Sequence, residues 1–183
     1  LESVVEQSLP GLRAGSILLD TSTVSPSTTV ALAGVLAQKG VDYVDAPVSG
    51  GVEGAINGRL VAMVGAKLAT FERIQPVISA FSAAVNHMGP VGSGQAAKAV
   101  NQVIVAGVAE AVCEALWLGE QLNLPRERLL SVLSSGAADG WFLRHRGLSM
   151  LEGRFEKGFK LSLLLKDLEI VKALARELNI TMP

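Results

Sequence analysis

The 183-residue chain holds one cysteine, Cys113, and only two histidines, His87 and His145. A lone thiol closes no internal disulfide, and thiolate zinc sites need several cysteines at set spacings. With the histidines far apart in sequence, no metal site is expected. A single free thiol fits a reducing compartment, so the expected location is cytoplasmic or another such compartment, for example the mitochondrial matrix. Charge of one sign is also missing: 16 Lys+Arg stand against 17 Asp+Glu. Without a basic stripe, a nucleic-acid partner is not expected, and neither is a polybasic membrane-surface role. Long uninterrupted apolar runs are absent as well. The most apolar region, 96–118, contains Lys98, Asn101, Gln102, Glu110 and Glu114. No uncharged stretch there reaches the roughly 18–20 residues of a spanning helix, so no membrane partner is expected. It reads as a soluble helix buried on most sides. No secretory signal pattern is present and the first residue is Leu1 rather than Met, which points to a fragment or a processed chain.

What is present is ample core material: 49% of residues are hydrophobic, enough to exclude a disordered chain. The first half alternates strand-like and helix-like segments. Strands are expected at 16–20, 41–46, 60–64 and 84–88. A helix end is expected at 1–9, closed by Pro10-Gly11. Ser25-Pro26 caps a helix that runs to Lys39 and stops at Gly40. A second helix spans 70–81, with Pro76 kinking or ending it. Between them lies a glycine-rich loop at 47–58. After residue 91 no strand is expected. A long helix covers 94–122, Pro125 opens another that ends near Ser135-Gly136, and others span 140–151 and 161–178, with a glycine-bearing loop at 152–158. The expected fold class is α/β followed by all-α: a partial Rossmann-type domain, 1–91, joined by the long helix to a helical domain, 92–183.

Three turns could carry chemistry, because ligands in open α/β sheets sit outside the carboxyl ends of strands. Asp20-Thr-Ser-Thr-Val-Ser-Pro26 offers hydroxyls and backbone donors, although helix capping alone accounts for such residues. Asp45-Ala-Pro-Val-Ser-Gly-Gly51 sets a hydroxyl beside two glycines that let a ligand approach the backbone; a flexible connection is the alternative. Gly92-Ser-Gly-Gln-Ala-Ala-Lys98 opens the long helix. A lysine there has the wrong sign for the helix dipole. Desolvated beside positive dipoles, Lys98 would favour its neutral form and move toward the working range of a general acid or base. Asn101 and Gln102, three and four residues on, share its face and could hold an oxygen-rich substrate. A snorkelling surface lysine with two structural amides is the alternative. Lys166-Asp167 reads as an exposed pair. Trp141-Phe142 reads as core, and His87 and His145 as structural.

In this order, the segments resemble the β-hydroxyacid dehydrogenase family, which includes 3-hydroxyisobutyrate dehydrogenase and tartronate semialdehyde reductase. The match runs from Ile17 to the C-terminal end. Asp20-Thr-Ser-Thr-Val-Ser-Pro26 resembles the family's cofactor-proximal turn and Asp45-Ala-Pro-Val-Ser-Gly-Gly51 its substrate-binding signature. Gly92-Ser-Gly-Gln-Ala-Ala-Lys-Ala-Val-Asn101 resembles its catalytic helix start, and Leu165-Lys-Asp-Leu168 its late cofactor-side segment. The resemblance implies that Lys98 is the general acid in carbonyl reduction and the base in alcohol oxidation. It implies that Asn101 and Gln102 position substrate, Gln102 standing where some members carry a second asparagine. Ser49, Gly50 and Gly51 would bind the substrate carboxylate, and Thr23 and Lys166 would meet the cofactor, NAD or NADP. It also implies a small hydroxyacid substrate, no metal, and a homo-oligomer paired through the helical domain.

One family feature is missing: the strand, G-x-G-x-x-G turn and helix that cradle the pyrophosphate. The chain is therefore expected to be the middle of a longer enzyme, inactive by itself. An alternative is a non-catalytic oligomerisation or binding module of the same fold, favoured by that missing motif and disfavoured by Lys98. A 6-phosphogluconate dehydrogenase reading fits less well, since a phosphosugar site calls for more basic residues near Ser49 and Lys98.

Overall fold

A computed structural model describes residues 1–155 and 158–182. Glu156 and Lys157, within the expected glycine-bearing loop, and the terminal Pro183 lie outside the described residues. Helix α1 (Glu2–Ser8) leads into strand β1 (Ile17–Asp20), helix α2 (Pro26–Ala37) and strand β2 (Asp42–Asp45). A short strand β3 (Val48–Ser49) and helix α3 (Gly51–Ile56) follow, then β4 (Leu60–Gly65), α4 (Leu68–Ser79) and β5 (Ser82–Gly89). The rest is helical: α5 (Ser93–Gln121), α6 (Arg126–Leu133), α7 (Trp141–Leu151) and α8 (Leu161–Glu177). The four expected strands are all present. The glycine-rich loop is not a plain loop: it folds into β3 and α3. Helix α4 continues through Pro76 to Ser79 rather than ending there.

The sheet is mixed. β1 pairs parallel with β2, and β4 pairs parallel with β5. β4 runs antiparallel to both β2 and β3, so the chain reverses across the 47–58 segment. Tyr43 and Val44 are neighbours on β2 and face opposite sides of the sheet. Tyr43 packs with Leu32 and Leu36 of α2, whereas Val44 packs with Phe71 and Ile78 of α4. Helices thus cover both faces, as a half-parallel, doubly buried sheet requires. Local signals set the helix ends. The Ser25 hydroxyl accepts from the Thr28 amide at 3.0 Å with Pro26 in the first turn, and Gly40 follows α2 at φ +68°, a conformation glycine adopts without penalty.

Two compact units divide the chain. One comprises Leu1–Gln102 with Phe159–Pro183, the other Val103–Gly158. The secondary structure changes character near residue 91, but compaction divides elsewhere. The first turns of α5 are fastened to β2, where the Asp45 carboxylate accepts from the Gly92 and Gln95 amides. Gln102 is likewise bonded to Asp167 of α8. In the second unit, Leu116 of α5 packs with Leu143 and Leu151 of α7 and with Leu129, Leu130 and Leu133 around α6.

The expectation that the long helix is buried on most sides is corrected. Val100, Ile104, Trp117 and Leu118 are all more than half exposed. For Ile104, Trp117 and Leu118 the reason is a shortage of neighbours: among the described residues of the second unit, α6 and α7 are the only other helices available to cover the apolar surface of α5. By length and composition α5 is apolar enough to cross a membrane. Its first turns, however, bury Lys98 and Gln102 against the α/β unit rather than facing lipid. Trp141, expected in the core, is also more than half exposed and stacks on His145.

The start of α5 has no room for a side chain at position 94. A Cβ on Gly94 would fall 2.8 Å from Asp45 Oδ2 and 2.9 Å from the Asp45 carbonyl oxygen, and would also collide with the Met63 carbonyl. Two of these three atoms are backbone oxygens that cannot rotate aside. Gly94→Ala is expected to destabilise the fold by about 1–3 kcal/mol or more, read as a lowered denaturant midpoint. Ala at Gly107, inside α5 where a Cβ meets nothing within 4 Å, is the control expected to raise the midpoint slightly, since mid-helix Ala is favoured over Gly by about 0.5–1 kcal/mol.

Candidate active site

Three segments meet around the first turns of α5. The turn after β1 is held from below by Asp20, whose carboxylate accepts from the Ser22 amide at 2.9 Å, from the Ser22 hydroxyl, and from the Tyr43 hydroxyl at 2.7 Å. Burial, with the Asp20 carboxylate beside it, pushes the Tyr43 hydroxyl well above its ordinary pKa, so it stays a donor. The turn is held from the side by Gln95: Nε2 donates to the Ser22 carbonyl at 2.9 Å, and Oε1 accepts from the Val24 amide at 3.2 Å. Thr23, the expected cofactor contact, lies between these two anchors and is half-buried. Its carbonyl accepts from Lys166 Nζ of α8 at 2.6 Å.

The second segment begins at Asp45, which is fully buried at the end of β2. Its carboxylate accepts from Gly92 at 2.7 Å and Gln95 at 2.9 Å, at the start of α5. Burial raises its pKa, and the amides from α5 pull it back down. The helix N-terminus, with its positive partial charge, is therefore already satisfied by an internal anion. Beyond it, Gly50 at φ +125° and Gly51 at φ +61° make a turn that favours glycine, and Ser49 ends β3 half-buried. Among the described residues no hydrogen bond ties Ser49, Gly50 or Gly51 to the Lys98 cluster.

Lys98 lies one turn beyond Gln95 and is only 8% exposed. Burial holds its pKa below the ordinary lysine value; Asp167 pulls it back up and Lys166 pushes it further down. Gln102, 2% exposed, donates to Asp167 Oδ2 at 2.6 Å and accepts from the Asn101 amide group at 2.9 Å. The structure thus joins Asn101, Gln102, Asp167 and Lys166 in one polar chain, with Lys98 in the field of its charges. Both polar ends of Gln102 are used inside the protein, which leaves half-buried Asn101 as the more available of the two amides.

The expectation of an exposed Lys166-Asp167 pair is corrected in one member. Lys166 Nζ lies 2.8 Å from Asp167 Oδ1, but the Asp167 side chain is only 4% exposed while that of Lys166 is 46% exposed. A carboxylate brought out of water between two lysines and an amide is not a solvated surface charge. Sequence reasoning also passed over Asp45 and Gln95, although both lie inside the motifs it singled out. Asp45 follows the apolar Tyr43-Val44 at a strand end, a pattern that buries a carboxylate. Gln95 stands on the face of α5 from which Lys98 projects, three residues earlier.

Family models match almost the whole chain. Residues 92–183 match "NAD-binding of NADP-dependent 3-hydroxyisobutyrate dehydrogenase", and residues 1–89 match "NAD binding domain of 6-phosphogluconate dehydrogenase". The 2-(hydroxymethyl)glutarate dehydrogenase of Eubacterium barkeri is 38% identical over 176 residues, 96% of this chain and 58% of that protein. The 2-hydroxy-3-oxopropionate reductase of Escherichia coli (strain K12) is 37% identical over 169 residues, 92% of this chain and 58% of that one. The 3-hydroxyisobutyrate dehydrogenase of Mycobacterium tuberculosis, solved with L-serine, superposes with a TM-score of 0.86 at 29% identity, covering 99% of this chain and 66% of that one. The chain spans less than two thirds of the length of the curated relatives it matches. With both of its halves matched by models from the same group of enzymes, and relatives of this identity along nearly its full length, the chain belongs to the β-hydroxyacid dehydrogenase family.

Proposed function

We propose that the polypeptide carrying this chain is an NAD(P)-dependent oxidoreductase that interconverts a small β-hydroxyacid and its carbonyl form, with Lys98 as the proton-transfer group. The observation that carries this reading is Lys98 itself: a buried lysine whose ammonium form is weakened by desolvation, on a helix start held against the turn that bears Thr23. Similarity to hydroxyacid dehydrogenases and reductases supports the same class.

The residues present fit a nicotinamide cofactor. Lys166 brings a half-exposed cation to the Ser22–Val24 turn, and that turn is fixed by Asp20 and Gln95 rather than left mobile. Thr23 and Lys166 would hold the cofactor's reacting end. When bound, a reduced nicotinamide supplies the two electrons and one hydrogen that carbonyl reduction requires. Lys98 gives its proton to the carbonyl oxygen as the carbon is reduced, and is left as the neutral amine. In the reverse direction the neutral amine removes the hydroxyl proton. Asn101 orients the substrate oxygens, while Gln102 holds Asp167 in place. Ser49 and the backbone at Gly50-Gly51 receive the substrate carboxylate. No residue in this scheme needs a metal ion.

The exposed face of α5 supports a homo-oligomer. Val100, Ile104 and Val108 recur every fourth residue and form one apolar stripe. A second copy of the chain would cover it. Ile104→Glu is expected to shift the protein toward monomer in light scattering, and an unchanged mass would count against that pairing.

Two measurements test the chemistry in the full polypeptide, with NADH and NADPH and a panel of small β-hydroxyacids and semialdehydes. Lys98→Ala is expected to lower kcat by about 10²–10⁴-fold; a loss of only a few-fold would remove Lys98 from the role. The pH profile gives the second. Reduction needs the ammonium form, so its rate should fall as pH rises through a pKa lower than that of an ordinary lysine. Because Asp167 holds that pKa up, Asp167→Asn should move the fall to lower pH, while Gln102 keeps an oxygen to donate to. A profile that does not move, or moves upward, would separate Asp167 from Lys98.

A further inference from the structure

Gln95 has no chemistry of its own, yet it is 1% exposed and its side chain is bonded far from its own helix. Its amide bonds a turn more than seventy residues earlier, once as donor to the Ser22 carbonyl at 2.9 Å and once as acceptor from the Val24 amide at 3.2 Å. Its backbone amide is at the same time fixed to Asp45 Oδ2 at 2.9 Å. One residue therefore ties three segments together: the turn after β1, the end of β2 and the first turn of α5. The two side-chain bonds flank Thr23, one on each side in sequence. The backbone bond sits three residues before Lys98, on the same helical face.

We propose that Gln95 is a positioning residue that sets the register between the Thr23 turn and Lys98, and so between the side of the site that receives the cofactor and the group that moves the proton. The proposal rests on the functional reading of Lys98 given above. The physical reason is geometric. Hydrogen and proton must reach adjacent atoms of one carbonyl, and a displacement near 1 Å can cost about 10²-fold in rate. Asp20 holds the turn to the sheet from its N-terminal end, but among the described residues Gln95 alone bonds the turn to the helix that bears Lys98. Lys166 approaches the Thr23 carbonyl from α8 with a flexible, half-exposed side chain and cannot fix the same register. An amide suits this place: it donates to a carbonyl and accepts from an N–H on separate atoms, without bringing a further charge beside buried Asp45.

The test uses the full polypeptide with Gln95→Met, which keeps length and loses both bonds, and Gln95→Asn, which keeps the amide and shortens its reach. Amide hydrogen exchange at Val24, measured without any ligand, reads the clamp directly; steady-state kinetics and the primary isotope effect from deuterated reduced nicotinamide read its consequence. Gln95→Met should speed Val24 exchange at least tenfold, lower kcat by about ten- to a hundredfold with KM values changed far less, and enlarge the isotope effect. Gln95→Asn should fall between it and the unaltered protein, and it carries the test if Gln95→Met does not fold. Unchanged Val24 exchange in a folded variant overturns the clamp. Faster exchange with unchanged kcat, in an enzyme that Lys98→Ala disables, overturns the positioning role. If Lys98→Ala leaves turnover intact, the functional reading itself fails, and Val24 exchange still decides the clamp.

Discussion

The buried carboxylate of Asp45 is the constraint from which the rest of the site follows. A carboxylate with no water around it must find donors or lose its charge. Here the donors are the orphan amides at the start of α5, which need acceptors for the same reason. Each group satisfies the other, and the consequence is positional. The end of β2, which leads into the Ser49-Gly50-Gly51 turn, is locked to the start of the helix that carries Lys98. The two neighbouring glycines belong to the same arrangement. A Cβ at Gly65 would strike the Asp45 carboxylate, as would one at Gly94. The close approach of strand and helix is possible only because both lack side chains at the contact.

That lock also sets the electrostatics of Lys98. An ammonium in the second turn of a helix meets the wrong end of the helix dipole, and burial strips its water. Asp45 neutralises part of the first effect by occupying the helix start. Asp167 offsets part of the second, and Lys166 works against it. The result is a lysine whose ammonium form is weakened by burial and partly restored by one carboxylate. Gln102 fixes where that carboxylate sits. Its position four residues after Lys98 lets a single helical face present both the amine and the amide that controls the amine's counter-charge.

The elements with strong local signals were readable in the sequence. Ser25-Pro26, Gly40 and the alternation of apolar runs mark α2 and the strands, because caps and periodicity act within a few residues. The break-up of 47–58 into β3 and α3 was not readable: Val48-Ser49 becomes a strand only because β4 turns back beside it, a pairing no local rule contains. The same distinction holds in the site. Lys98 stood out because a charge on an apolar helix conflicts with its surroundings, whatever the fold. Asp45 and Gln95 did not, since their partners lie 47 to 73 residues away. Asp167 was read as solvated because sequence shows its neighbour Lys166 but not the amide of Gln102, 65 residues earlier. Polar residues whose partners are distant look like surface until the chain is folded.

Helix α5 is held to two different standards along its length. Its first three turns are polar on the inward face and closely fastened, with Gln95, Lys98 and Gln102 all buried. Beyond Gln102, Ile104, Trp117 and Leu118 remain more than half exposed. Apolar surface of this extent on one helix is stabilising only when covered, since each Å² removed from water contributes about 25 cal/mol. The helix that carries the buried Lys98 is therefore also an element whose exposed apolar surface would gain from being covered. A helix is stiff along its axis, and its N-terminal turns are pinned by Asp45. The exposed stripe and the buried polar face share one element without sharing residues: Val100, Ile104 and Val108 lie on the side of the helix away from Lys98 and Gln102.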